Sequence, residues 1–321
     1  MMKKELGIFV LLVFLCALGW GLSENHSFLS QANIYNLLYQ VGMFGIFSLG
    51  MGLVIITGGI DLSVGSVMAL QGVVLSMMLN DKGWPWPISI ALSILLCVVL
   101  GAFNGFLITR VKMQPFIVTL CGLLFYRGVA RFVSNDETKG FGEATGFTAI
   151  RDFFKGQFLG VPTAFWLLMI IAALMWVLLH RSIFGRYLYA AGRNEDAARY
   201  SGIGTRGIIS SAYIVLGFLT AISGILFAFY TNSVSPSGHA NSYELYGVAA
   251  AVLGGCSLRG GEGSVLGIIF GAFLLQILQN LVNLLGIPSS LNFAVMGAVI
   301  LLGVLADQLL KNRKPKVKVA A

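Results

Sequence analysis

Ten apolar runs separated by short polar connectors constrain this chain more than any motif it carries. A helix needs roughly 20 predominantly apolar residues to cross the hydrocarbon core of a bilayer. The runs are predicted at 6–22, 38–57, 62–79, 88–109, 115–133, 162–180, 208–230, 245–256, 264–285 and 291–310. The eighth is too short to cross alone, so it either borrows residues from Asn241 onward or is partly re-entrant. A chain of 321 residues with 57% hydrophobic and only 11% charged residues, at mean hydropathy +0.86, lies outside the range of soluble domains. The expectation is an all-α polytopic membrane protein forming one domain over 1–321.

The basic residues test this threading. Alternating spans from an inside N-terminus places 15 of the 21 Lys and Arg inside: Lys3, Lys4, Arg110, Lys112, Arg181, Arg186, Arg193, Arg199, Arg206, Arg259, Lys311, Arg313, Lys314, Lys316 and Lys318. Four fall outside (Lys82, Lys139, Arg151, Lys155), and Arg127 and Arg131 lie near the outer end of the fifth span. The positive-inside rule then puts both termini in the cytoplasm. The largest outer loop is 134–161, too short for a domain, and 311–321 is a basic cytoplasmic tail. The net charge of +8 follows from membrane topology, not from a nucleic-acid surface, because the cations sit in short clusters between apolar runs.

The segment 181–207 is a polar island with five arginines against Glu195 and Asp196. Asn194 is predicted to cap a short helix whose first turn holds Glu195 and Asp196 and whose body holds Ala197 and Ala198. It stops at Gly202. With Arg193 and Arg199 around it, this helix reads as a cytoplasmic docking element.

Two glycine-rich breaks interrupt the apolar pattern. In Thr57–Ser66, Gly58 and Gly59 permit a turn, and Asp61 or Ser63 can cap the next helix. Asp61 is the only carboxylate between Glu24 and Asp81, so a substrate or proton role stands beside the capping one. The second break, 253–264, carries Gly254 and Gly255. Arg127 needs a polar partner or a wet cavity if it lies below the interface, and otherwise snorkels to the outer headgroups. Glu244 is placed at the outer mouth of a pathway or as a cap. Gly101 with Gly105, and Gly263 with Gly267 and Gly271, have the spacing of close helix contacts, expected within the chain more than at a dimer seam.

Other chemistry finds no support. The dipeptide Gly-Lys is absent, so the chain has no phosphate-cradling P-loop. His26, His180 and His239 are scattered, and Cys16, Cys97, Cys121 and Cys256 show neither disulfide nor zinc spacing. A secretory signal at the N-terminus lacks a small-x-small cleavage site.

Three stretches resemble the ribose/xylose/arabinose-type permeases of bacterial ABC importers: ITGGIDLSVGSVMAL at 56–70, QPFIVTLCGLLFYRG at 114–128 and VLGGCSLRGGEGSVLG at 252–267. Asp196–Gly202 is similar to the family's short cytoplasmic helix, and the likeness runs in order from about residue 30 to 310. The resemblance implies ten spans in an architecture similar to cobalamin-importer permeases, in a bacterial inner membrane. It implies a coupling helix at 195–202, a cytoplasmic ATPase, a periplasmic sugar-binding protein and a second permease copy or sibling chain. No cofactor is expected in this chain, ATP and Mg being held by the ATPase. Gly58, Gly59, Gly254 and Gly255 are the candidate flexing points. An ion-coupled secondary transporter, with Asp61 as its ionisable group, is the alternative.

Overall fold

The computed structural model describes residues 2–142 and 147–288, with seven isolated positions between 291 and 305. The tenth predicted span and the 311–321 tail therefore lie largely outside the described residues. The other nine predicted runs all fall on helices: α1 (Met2–Leu22), α2 (Gln31–Ile56), α3 (Val64–Ser76), α4 (Trp86–Thr109), α5 (Pro115–Val133), α7 (Thr163–Trp176), α10 (Thr205–Thr231), α11 (Tyr243–Leu253) and α12 (Val265–Leu284). Counting the π-helical turns that extend α3 to Asp81 and α7 to Arg181, eight are long and apolar enough to cross a membrane. The exception is α11, the short eighth run. Connecting them are α6 (Phe147–Lys155), α8 (Ile183–Arg193) and α9 (Glu195–Tyr200).

Helix α2 begins seven residues before its predicted apolar run, because Ser30 accepts a hydrogen bond from the Asn33 amide and caps a polar first turn. It forms the axis of the bundle. Its apolar window is 94% buried, against 11% for that of α1, with α7, α10, α11 and α12 packed around it. Close approach of backbones makes this possible. The Gly101 site on α4 faces the Tyr213 carbonyl of α10, and Gly267 and Gly271 on α12 face the Gly254 and Ala250 carbonyls of α11. These glycines serve contacts within the chain, as expected. Gly263 does not belong to their helix face; it lies in the turn before α12, against Cys256 and Ile56.

One end of the bundle carries α8 and α9 together with the ends of α2 and α4 and the starts of α5, α10 and α12. The opposite end carries the 134–162 segment. There β1 (Lys139–Gly140) pairs antiparallel with β4 (Ser233–Val234), Lys139 opposite Val234, and β2 (Gln157–Phe158) pairs with β3 (Val161–Pro162). Arg131 forms a two-point ion pair with Asp136 at this end, through Nε at 2.9 Å and Nη2 at 2.6 Å.

Helix α11, at 11 residues, does not run the full depth. The ring of Phe44, near the middle of α2, lies with its centroid 4.5 Å from that of Tyr243, the first residue of α11, tilted by 43°. At the start of α3, a Cβ on Gly65 would lie 2.5 Å from Glu244 Oε2. The N-termini of α3 and α11 therefore meet beside the middle of α2, and the two helices run toward opposite ends.

Candidate functional site

The arginine-rich island folds as two short helices. Asn194 Oδ1 accepts from the Ala197 amide at 2.9 Å, capping α9, while Glu195 and Asp196 occupy the first turn where the helix dipole favours them. Gly202 ends the helix at φ +84°, with its amide bonded to Arg199 O and the Ile203 amide to Ala198 O. This is a Schellman motif, which needs the left-handed residue that glycine supplies. Arg199 pairs with Asp196 at 2.8 Å, Glu195 accepts from the Thr205 hydroxyl at 3.2 Å, and Tyr200 stands 85% exposed.

The same motif ends α2 and α11. Gly58 (φ +81°) and Gly255 (φ +92°) are the left-handed residues, with Gly59 N bonded to Val54 O and Cys256 N to Ala251 O. Gly59 and Gly254 have negative φ and are small for another reason. A Cβ on Gly59 would sit 2.5 Å from the Tyr213 hydroxyl, and one on Gly254 would strike the Gly267 carbonyl. The two turns touch: the Gly261 amide donates to Ile56 O at 2.8 Å, and Gly260 lies against the Gly58 amide. Gly192, two residues before the α9 cap, packs into this contact against Ile56 O and the Gly261 amide, and Arg193 covers Gly261. The island is thereby seated on both glycine-rich breaks, a junction that the sequence did not reveal.

A polar network occupies the space where α3 begins. Asp61 Oδ1 accepts from the Ser63 amide at 2.7 Å and its hydroxyl at 2.6 Å; Asn104 Nδ2, from α4, reaches Ser63 Oγ at 3.1 Å and Asp61 Oδ2 at 3.4 Å. Tyr126 OH, from α5, donates to Asn104 Oδ1 at 3.0 Å. Asp61 is buried, at 3% exposure. It closes an Asx-type turn ahead of the helix, while Ser63, at the N-cap position, makes no side-chain cap. A cavity of about 10 Å³ beside Asp61 is shared with Thr220, whose hydroxyl has no partner among the described residues; this is room for one water.

Arg127 does not depend on snorkelling. Its Nη1 donates to His239 O at 2.7 Å and Pro236 O at 3.2 Å, pinning the segment that leads into α11. Glu244 occupies a capping position: it lies 7% exposed in the first turn of α11, against Gly65. Two helix N-termini point at each other here, so Asp61 and Glu244 offset the positive ends of both dipoles. Asn104 and Tyr126 were not singled out from sequence. An asparagine inside the otherwise apolar run of α4 was the available signal.

Between α9 and the Gly58–Gly59 turn lies a cleft of about 440 Å³, walled by the α4–α5 turn and the start of α10. Among the described residues, no three His, Cys, Asp or Glu side chains are grouped to hold a metal.

Eight membrane-length helices, a shorter helix whose N-terminus meets that of α3 around buried polar groups and a capped helix at one end define a polytopic membrane protein. The comparisons place it further. The family described as branched-chain amino acid transport system / permease component matches residues 33–304. The ribose import permease protein RbsC of Bacillus subtilis (strain 168) is 40% identical over 304 residues, covering 94% of this chain and 91% of that protein. Its Escherichia coli (strain K12) counterpart is 39% identical, covering 93% and 92%. The xylose transport system permease protein XylH of E. coli (strain K12) is 32% identical, covering 96% and 93%. No solved structure matches the chain. The chain belongs to this permease family, as an inner-membrane subunit of an ABC importer and not itself an enzyme. The ion-coupled alternative is not favoured.

Proposed function

We propose that this chain is the permease of a monosaccharide importer, with ribose as the leading solute. The observation that carries this reading is the 39–40% identity to ribose import permeases along nearly the whole chain, against 32% to the xylose protein. In this reading the α9 end faces the cytoplasm, as do both termini, and a tenth span at 291–310 completes an architecture similar to the cobalamin-importer permeases. A second copy or sibling chain completes the membrane unit. A periplasmic sugar-binding protein delivers solute to the opposite end.

Helix α9 is the coupling helix in this scheme. The exposed Tyr200 and the Arg193–Gly202 segment dock on a separate ATPase, which binds ATP and Mg. Closure of the ATPase pair moves α9. The Gly192 junction transmits that movement to the turns at Gly58–Gly59 and Gly254–Gly255, whose left-handed residues tolerate backbone change. The turn at Gly58 leads straight to Asp61 and Ser63, so a shift there alters the mid-depth network. Arg127 holds the segment leading into α11 and would be released on the opposite side of the cycle.

Reconstitution tests the proposal. Proteoliposomes holding the permease with its cognate ATPase and binding protein should accumulate ribose only when ATP is supplied. Accumulation of a different monosaccharide would overturn the choice of ribose, and uptake by the lone chain under an ion gradient would overturn the importer reading.

A further inference from the structure

The cleft beside α9 has a chemistry that the coupling helix does not use. Its walls carry five charged side chains, but two pairs of interactions absorb most of them: Asp196 with Arg199, and Glu195 with the Thr205 hydroxyl. Lys112 and Arg206 remain, both exposed and with no ion pair or side-chain hydrogen bond among the described residues. Lys112 is held at φ +63°, a left-handed conformation that a residue with a side chain adopts at a steric disadvantage. The strained turn projects a cation over the cleft. The floor is different, formed by the buried Ile209 and Tyr213 beside Gly59. A socket with a cationic rim, an aromatic and aliphatic floor and a volume of about 440 Å³ admits a side chain or a short loop.

We propose that this cleft receives an acidic segment of the ATPase subunit, a carboxylate engaging Lys112 and Arg206. This rests on α9 being the coupling helix. It adds a second contact with a separate consequence. The occupant presses on Tyr213, whose hydroxyl donates to Ile60 O at 3.3 Å, and so acts on the turn beneath Asp61 through a contact separate from that of Gly192. Charge complementarity selects an acidic partner, and adjacency to α9 selects the ATPase over a lipid headgroup.

The experiment measures affinity of the purified cognate ATPase for the permease in nanodiscs of phosphatidylcholine alone, across a salt series. The variants are Lys112→Glu with Arg206→Glu, the milder Lys112→Gln with Arg206→Gln, and Ala198→Trp on α9. The expected result is a loss of at least about tenfold for the charge reversal, a smaller loss and a shallower salt dependence for the neutral pair, and recovery of the reversal when one ATPase carboxylate is changed to Lys. Wild-type affinity and salt slope in both cleft variants, with binding abolished by Ala198→Trp, would overturn the socket and leave the coupling helix standing. Wild-type binding that survives Ala198→Trp would instead overturn α9 as the coupling helix. An effect of the cleft variants that appears only when anionic lipid is added to the discs would assign the cleft to headgroups and overturn the proposal.

Discussion

Gly192 sits so close to Ile56 that a Cβ on the glycine would overlap the Ile56 carbonyl oxygen, the same oxygen that accepts the Gly261 amide at 2.8 Å. One backbone carbonyl at the end of α2 thus joins the last turn of α8 to the α11–α12 turn. Rigid-body movement of α9 cannot leave those two turns behind unless this contact breaks.

Replacing Gly192 with Ala should therefore uncouple the machine. The methyl group has no flexible neighbour to displace, because the overlapping atoms are backbone, and overpacking of this kind costs about 1–3 kcal/mol. ATP hydrolysis by the assembled complex is expected to continue while ribose uptake falls at least about tenfold. Normal uptake per ATP hydrolysed in proteoliposomes would show that the junction does not carry the movement.

Gly202 makes a contrasting prediction. No atom would lie within 4 Å of an added Cβ, so its requirement is conformational and not steric. At φ +84°, Ala should weaken the end of α9 by about 1–2 kcal/mol, and Asn, which tolerates the left-handed region, should be milder. The order Gly, Asn, Ala in ATPase affinity is the expected outcome. Equal affinity of the Asn and Ala variants would contradict it.

Much of this arrangement was legible in the sequence. Nine apolar runs gave nine helices, because a 20-residue run of Leu, Ile, Val and Phe has one favourable form in a bilayer, and Asn194 to Gly202 was readable because caps are local. The Gly192–Ile56–Gly261 contact was not, since it joins positions far apart along the chain and depends on how three turns pack. The same limit applies to Arg127: its sequence neighbours suggested an interface residue, while its partners lie about 110 positions away, at Pro236 and His239. For Glu244, of the two readings the sequence offered, its place in the first turn of α11 fits the capping one.

Asp61 separates turn geometry from charge. Asparagine keeps an oxygen for the Ser63 amide and hydroxyl, so Asp61→Asn should remain inserted and transport ribose at a rate near that of the parent. Asp61→Ala leaves the buried Ser63 amide without its acceptor, at a cost of about 1–3 kcal/mol. Complete loss of transport by Asp61→Asn at normal expression would assign the carboxylate a charge-dependent role.

Arg127 supplies the last test, on the opposite side of mid-depth. Its Nη1 holds two carbonyls, His239 O at 2.7 Å and Pro236 O at 3.2 Å, and both belong to the segment that positions α11. Arg127→Met keeps the length of the side chain and removes the donors, leaving those carbonyls to find water. Because α9 and its cleft are remote from this contact, ATPase affinity should be unchanged, while ribose uptake falls and cysteine labelling of an Ala240→Cys reporter, at a buried position of the same segment, rises as the segment loosens. Arg127→Lys, which retains a charge and can still donate to a carbonyl, should recover part of the uptake. If Met and Lys variants lose uptake equally and the Ala240→Cys reporter labels at the parent rate, Arg127 does not act by pinning this segment.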